Sequence, residues 1–376
     1  MANNRTYYAC EAVGFAPDGS VTPILLHGGQ SIGINTNFSL TPTNELGQLS
    51  TYQQVEGIPD IEVTVSKVLD GYPQAYLLAT QNAAGSTLAG RSNTKCQVYF
   101  SIFPDTQVFA SGTPVDNGAL WCSGMYYSQL TYNFPLDGNY NESMTLVGNH
   151  KQWFSNVSDT PLKGSLFGPS VDAPQAAGPS GGVNQRQHMV FSTPAGAISY
   201  DGNGCVSDDR VSVLPTQIRG IGSSGLNVKT NGVFGAHIGD ISVSTNLGRD
   251  AINEQGRKAP YYRFITFPVD VTTSITVTAS AGDGIDATEA GGTNGAAAGS
   301  NLLNQSIRIR LMEGGFYDMG EKNKISSITY GGGDATGGNM TITYNFTNQN
   351  DLDVKHTHDP TTALRCRALD AAQFTY

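Results

Sequence analysis

The sequence predicts a mainly β protein, a β-sandwich or barrel with a flanking helix, laid out as two tandem domains related by internal duplication. Three observations predict it. Glycine is plentiful at 45 residues and charged side chains are few at 14%, while Thr, Ser, Asn, Val and Tyr carry much of the rest; that mixture suits strands and turns and disfavours long surface helices. Short runs of alternating apolar and polar residues are separated by turn chemistry. One stretch also occurs twice, and at 376 residues the chain has room for two domains of ordinary size.

Residues 32–59 and 241–268 align without a gap. Eight of 28 positions are identical: Ile32/Ile241, Thr36/Thr245, Asn37/Asn246, Asn44/Asn253, Glu45/Glu254, Gly47/Gly256, Tyr52/Tyr261 and Pro59/Pro268. Ordinary residue frequencies give roughly two matches over that length. Ile34/Val243, Phe38/Leu247, Val55/Phe264 and Ile58/Phe267 are replacements of like for like. A strand is expected beyond the proline in both copies, shifted by one residue, so that Ile61, Val63 and Val65 answer Val269, Val271 and Thr273. A one-residue slip reverses every side chain on a strand, so alternation kept across an indel marks a strand.

Net charge is −10 without a run of like charges, which argues against a sequence-reading nucleic-acid binder with a basic footprint. An acidic wall past which DNA slides remains compatible. The N-terminus lacks the basic start and apolar core of a signal peptide, and no run approaches the ~20 apolar residues of a membrane span. Cys10, Cys96, Cys122, Cys205 and Cys366 stand singly, against a zinc knuckle or a secreted disulfide framework. Synthesis in a cytoplasm with buried free thiols is expected, the odd count leaving room for a bond between subunits.

In chain order, residues 5–34 hold two strands joined by the turn Ala16-Pro17-Asp18-Gly19. The repeat unit then reads strand, polar loop, strand. Residues 69–81 predict the one good helix, with Pro73 in its first turn and Tyr76, Leu77 and Leu78 against a sheet. Residues 82–94 read as a flexible loop and 97–103 as a strand. Residues 121–134 and 142–148 form a long hairpin about Asp137-Gly138. The segment 156–209 is Pro/Gly/Ala-rich, a linker or insertion containing a small hairpin at 188–200. From 210 the order of elements recurs, with 306–312 answering 97–103 and Ile328-Thr329-Tyr330 answering Leu130-Thr131-Tyr132. The Gly/Ala-rich loop 281–301 stands where 82–94 stood, and Asp359-Pro360 gives a helix cue in the tail. The domains are therefore 1–155 and 210–350, with a linker or insertion at 156–209 and a C-terminal tail at 351–376.

Three patterns suggest catalysis or ligand binding and fail on context. Gly178-Pro179-Ser180-Gly181-Gly182 fits a nucleophile elbow but lacks the strand before and the helix after. Gly220-Ile221-Gly222-Ser223-Ser224-Gly225 fits a dinucleotide fingerprint, yet a strand and turn follow it, so a hairpin loop is expected. His356 and His358 share a face without a third metal ligand, and exposed histidines are expected; Asp208-Asp209 has no partner base. No catalytic, cofactor-binding or metal-ligating residue is assigned, and an enzyme is not expected. Gly47 and Gly256 are read as ending a turn or short helix, Gly331-Gly332-Gly333 and Gly337-Gly338 as a hairpin tip about Asp334. The shared Asn44-Glu45 and Asn253-Glu254 are read as a cap, with an interface salt bridge as the other reading.

At the repeat unit, the helix 69–81 and the hairpin 127–149, the chain resembles tail tube proteins of tailed bacteriophages. The resemblance lies in strand order over most of both halves. It implies small β-sandwich domains with a flanking helix joined edge to edge into rings, and rings stacked into a tube that passes DNA without reading its sequence. Most members carry one domain per chain and six chains per ring. Two domains here imply a homotrimer with pseudo-sixfold symmetry, or a homohexamer with outward second domains. Sheath, baseplate, terminator and tape-measure proteins are implied partners, and the place is the virion tail, after synthesis in the host cytoplasm. The loops 82–94 and 281–301 are expected to order only between stacked rings, and the inner wall to carry more acid than base. A baseplate hub or terminator of the same fold is one alternative. A β-sandwich adhesin or carbohydrate-binding protein, with Tyr126-Tyr127 and Tyr261-Tyr262 as stacking platforms, is another.

Overall fold

Strands dominate because apolar side chains alternate with hydroxyls and amides through most of the chain. A computed structural model describes residues 11–20, 23–103, 118–155, 182–191, 211–218, 220–221, 225–227, 229–230, 233–257, 260–279, 303–332 and 338–366. The first half holds β1 (Glu11–Pro17), β2 (Ile24–Leu25), β3 (Gly29–Asn37), β4 (Leu40–Asn44), β5 (Thr51–Glu56), β6 (Asp60–Val68), the short helices α1 (Ala75–Ala79) and α2 (Leu88–Arg91), β7 (Cys96–Ile102), β8 (Gly118–Phe134), β9 (Asn141–Gly148) and β10 (His150–Phe154). The second half holds β11 (Lys229–Thr230), β12 (Val233–Phe234), β13 (His237–Asn246), β14 (Arg249–Ile252), β15 (Tyr262–Ile265), β16 (Asp270–Thr278), β17 (Arg308–Arg310), β18 (Gly315–Asp318), β19 (Lys324–Gly331), β20 (Thr341–Gln349) and β21 (Asp353–His356).

Eight strands follow one another in the order β3-β6-β9-β8-β13-β16-β20-β19, antiparallel at every step. The run β3-β6-β9-β8 and the run β13-β16-β20-β19 therefore have the same internal order. They also share register. Leu130 stands opposite Met144 and Tyr132 opposite Glu142, as Ile328 stands opposite Tyr344 and Tyr330 opposite Ile342. Each of these pairings is interrupted once, between Tyr127 and Gln129 and between Ile325 and Ser327, so both bulges fall on a serine, Ser128 and Ser326. One sequence expectation is corrected. Ile34 pairs with Val63 where Val243 pairs with Thr273, so Ile61, Val63 and Val65 answer Val271, Thr273 and Ile275. The second copy gains a residue after its proline, opposite to the direction inferred.

The pleat sorts this sheet into two faces. Ile61, Val63, Val65, Leu130, Tyr132, Phe134, Ile241, Val243, Val271, Ile275, Tyr344 and Phe346 face a single core shared by both halves. The opposite face carries Thr64, Ser66, Ser143, Thr145, Thr131, Asn133, Ser242, Ser244, Thr272, Ser274, Thr343 and Asn345, as register with the core residues requires.

The predicted helix forms as α1, shorter than 69–81, with Pro73 lying ahead of its N-cap Gln74 rather than inside its first turn. All five residues are buried, and Gln74 gives no side-chain cap. Glu142 of β9 supplies it instead, accepting from Ala75 N (2.6 Å) and Tyr76 N (3.1 Å) and from the Tyr132 hydroxyl (3.1 Å). Burial pushes the Glu142 carboxyl above its ordinary pKa, and the Tyr76 and Ala75 N–H groups pull it back.

The loop 82–94, expected to be flexible, is built into the fold. Thr87 caps α2 through Gly90 N, and Leu88 N donates to Leu352 O at 2.7 Å. Buried Arg91 pairs with buried Asp359 at 2.7 Å and donates to Thr80. Composition hid this because Leu88 and Arg91, not the glycines, decide the loop's fate. The segment 351–366 likewise joins the fold: β21 pairs with β18, and among the described residues a 3-10 turn at Thr362–Leu364 follows the Asp359-Pro360 cue. β17 pairs with β18 and not with β19, unlike β7 on β8, which limits its equivalence to 97–103. The loop 281–301 and the part of the 188–200 hairpin beyond 191 lie outside the described residues.

Two outcomes follow from the buried polar groups. Glu142→Ala leaves two backbone donors and a tyrosine hydroxyl unpaired in the core, and is expected to cost about 3 kcal/mol in denaturant unfolding, with Glu142→Gln costing less. Burial also lowers the pKa of His356 to about 3. The unfolded chain takes that proton near the ordinary 6.5, so this contribution to stability is present above pH ~6.5 and lost as pH falls towards ~3. Raised carboxyls such as Glu142 act in the opposite sense. The difference between wild type and His356→Asn therefore isolates the histidine: melting temperature should fall less steeply with acid in the variant.

Candidate assembly interface

The two halves meet by strand addition. The C-terminal part of β8 pairs with β13, from Gln129 opposite Asn246 to Phe134 opposite Ile241, and Leu247 N continues the ladder to Ser128 O at 2.8 Å. The repeat's second hairpin, β14–β15, then lies over the first half. Arg249 drives this contact. Its guanidinium donates to Tyr127 O (2.6 Å) and Ser92 O (2.6 Å) and sits 4.7 Å from the Tyr126 ring centroid. Arg263 of the same hairpin reaches Asp60 (2.6 Å) and Asn149 (2.9 Å). Burial lowers the pKa of Arg249 from its ordinary value.

The same elements of the first copy have no such seat. Among the described residues β3 pairs only with β6 and β19 only with β20, so each leaves one edge of its ladder open there. Nine-residue β3 (GQSIGINTN) contains no charged residue, and eight-residue β19 (KISSITYG) contains one, Lys324. Edge strands of monomeric sheets are normally short or defended by charge and proline. Hairpin β4–β5 has the register of β14–β15, Leu40 opposite Glu56 as Arg249 is opposite Ile265, yet it is exposed along both strands. Burial separates the equivalent positions: Leu247 is 2% exposed and Phe38 62%, Tyr132 0% and Tyr330 39%. The turns agree in the two hairpins. Gly47 and Gly256 hold φ of 87° and 82°, and Gln48 N and Arg257 N bond back to Glu45 O and Glu254 O. The shared Asn-Glu thus opens a tight turn rather than capping a helix, with Glu254 paired to Arg257 inside it at 3.3 Å.

The other candidate residues do not gather into a site. Ile221 bridges to Asn227, and Gly222, Ser223 and Ser224 of the glycine motif lie outside the described residues. Gly178, Ser180 and Gly181 of the elbow motif, Asp208-Asp209, Cys10 and Cys205 lie outside the described residues, as does most of the Asp334 hairpin tip; Cys96, Cys122 and Cys366 are buried. His356 is buried rather than exposed, its Nδ1 accepting from His358 N, and the two rings lie 5.9 Å apart. No group of three His, Cys, Asp or Glu that could hold a metal occurs among the described residues. Tyr126 and Tyr127, offered as sugar-stacking platforms, are buried under Arg249. Among the described residues no helix is long and apolar enough to cross a membrane.

Fold and geometry define a mainly β protein. No family model and no curated protein matches the chain. Solved structures similar to part of it include a component of the anti-feeding prophage baseplate (11% identity, TM-score 0.32, 41% of this chain and 97% of that one). Others are the cap that terminates the anti-feeding prophage tube (13%, TM-score 0.30, 41% and 94%) and the PVC extracellular contractile injection system sheath–tube complex in its extended state (10%, TM-score 0.30, 41% and 94%). Likeness at this level assigns the chain to no family.

Arg249→Ala is expected to destabilise the chain by about 2 kcal/mol, since it strips donors from the Tyr127 and Ser92 carbonyls. Leu40→Ala, at the equivalent exposed position, should change the melting of the free protein little. Equal losses in thermal denaturation would show that the two hairpins are held alike.

Proposed function

We propose that this chain is a structural subunit whose two equivalent, duplicated modules assemble edge to edge into closed rings, and that the rings stack into a tail tube through which DNA passes. What carries the reading is the joint between β8 and β13 set beside the edges of β3 and β19: one boundary between modules is satisfied internally, and among the described residues the matching boundary has no partner strand. Head-to-tail contacts of this kind close into a ring when the rotation allows. Three chains then give six modules with pseudo-sixfold symmetry; six chains with outward second halves are the other arrangement.

The hydroxyl face supports a conduit. Besides Ser, Thr and Asn it presents Glu62 and Asp270 against Lys324, with Asp60 paired to Arg263, an excess of acid that phosphate backbones do not grip. Sheath, baseplate, terminator and tape-measure proteins are the partners, and the virion tail is the location. The burial of Tyr126 and Tyr127 weighs against the adhesin alternative, while Tyr261 of the other pair stays exposed. Negative-stain images and light scattering of purified full chain test the reading: rings or tubes with a central channel are expected. Single rings that never stack would favour a terminator or hub, and a monomer at every concentration would overturn the assembly.

A further inference from the structure

The geometry points to a particular seam between copies: β3 of one chain adds to β19 of the next in the register that β13 holds on β8, with Phe38 entering the seat that Leu247 fills. This deepens the ring reading and rests on it. The register follows from equivalences on both sides. Ile241, Val243 and Thr245 correspond to Ile32, Ile34 and Thr36 through the aligned repeat; Leu130, Thr131 and Tyr132 correspond to Ile328, Thr329 and Tyr330 through their identical pairing with β9 and β20. Val243 stands opposite Tyr132 and Ser244 opposite Thr131, so Ile34 meets Tyr330 and Asn35 meets Thr329.

The hydrogen-bond phase follows too. Leu247 N donates to Ser128 O, so Phe38 N donates to Ser326 O, and Ser326, like Ser128, is the bulge residue of its strand. Bonded and non-bonded pairs alternate in an antiparallel ladder, which makes Asn35 and Thr329 a non-bonded pair with the shorter separation. The seam has apolar content ready for burial. Phe38 and Leu40 are exposed beside the β3 edge, Tyr330 is exposed on β19, and the side of Ile32 and Ile34 is only half covered. Hairpin β4–β5 then lies across the second half of the neighbour as β14–β15 lies across the first half of its own chain.

The test uses the full chain with paired cysteines at exposed positions. Asn35→Cys with Thr329→Cys places Cβ atoms directly opposite, within disulfide reach; Asn35→Cys with Ser327→Cys is one pleat out. Each single variant controls for native thiols. Rings by electron microscopy, together with interchain bonds on non-reducing gels for the first pair and at most a tenth as much for the second, are the expected result. Rings without that bond, or with the second pair linking better, overturn the register while leaving the ring reading intact. Wild-type protein that forms no rings removes both. Phe38→Asp adds an independent measurement: unchanged melting of the free chain with assembly shifted to at least tenfold higher concentration is expected, and assembly at the wild-type concentration overturns the seating of Phe38.

Discussion

One strand holds the molecule together. β8 runs for 17 residues and has a different partner on each flank of each half. Along one flank it pairs with β10 and then β9; along the other with β7 and then β13. The handover occurs where Gly124 takes a φ of 63°, a left-handed turn of the backbone that a side chain would strain. On the facing strand Gly148 lies against the Met125 thioether, leaving no space for a Cβ there. Because side chains alternate with period two, the phase of β8 decides which residues of all four partners are buried. That phase is reset twice, at Gly124 and at the Ser128 bulge, so that Leu120 and Cys122, then Met125 and Tyr127, then Leu130, Tyr132 and Phe134 reach the core.

The weld explains why the two halves share a core although each has its own four-strand run. β13 extends the sheet that β8 would otherwise end, so Leu130, Tyr132 and Phe134 bury against Ile241 and Val243. Further ties cross between the halves away from the sheet: Gln74 donates to the Tyr317 hydroxyl at 2.9 Å, Ser86 to Asp353 at 3.0 Å, and Arg91 pairs with Asp359. A buried ion pair is weak evidence of net stability, since desolvation offsets much of the attraction, but losing one partner strands the other charge. These ties therefore fix how the halves sit more than how firmly the chain folds. Helix α1 lies in the first half and depends on the β9 carboxylate for its cap.

Much of this was legible in the sequence because strands announce themselves by alternation. The hairpin about Asp137-Gly138, the turn glycines Gly47 and Gly256 and the match of Leu130-Thr131-Tyr132 to Ile328-Thr329-Tyr330 all depend on local chemistry, and they appear where expected. What stayed hidden depends on long-range contact. Nothing in NAAGSTLAGRSNT says that Arg91 finds Asp359 across 268 positions, so composition made an ordered loop look loose. Glu142 alternates like its neighbours on β9 and gives no sign that it caps a distant helix. The pairing of Phe38 with Leu247 looked like simple conservation of type; only coordinates show one buried and the other bare. The indel after the proline is hidden for a similar reason: both offsets preserve alternation, and only cross-strand register chooses between them.

The difference between equivalent hairpins is itself informative on the ring reading. The internal joint is anchored by Arg249, a cation that must shed water to reach the Tyr127 and Ser92 carbonyls. A joint inside one chain forms at the high effective concentration set by covalent linkage, so it tolerates that desolvation. A joint between chains has no such help and must also cover the entropy of association. At the position of Arg249 the first copy carries Leu40, and at that of Leu247 the larger Phe38. Exchanging a cation for apolar surface moves the free energy of contact into hydrophobic burial, which scales with area and needs no geometry to be satisfied before water leaves. Two copies of one unit would thus have diverged along the line that separates a contact made once during folding from a contact made by collision.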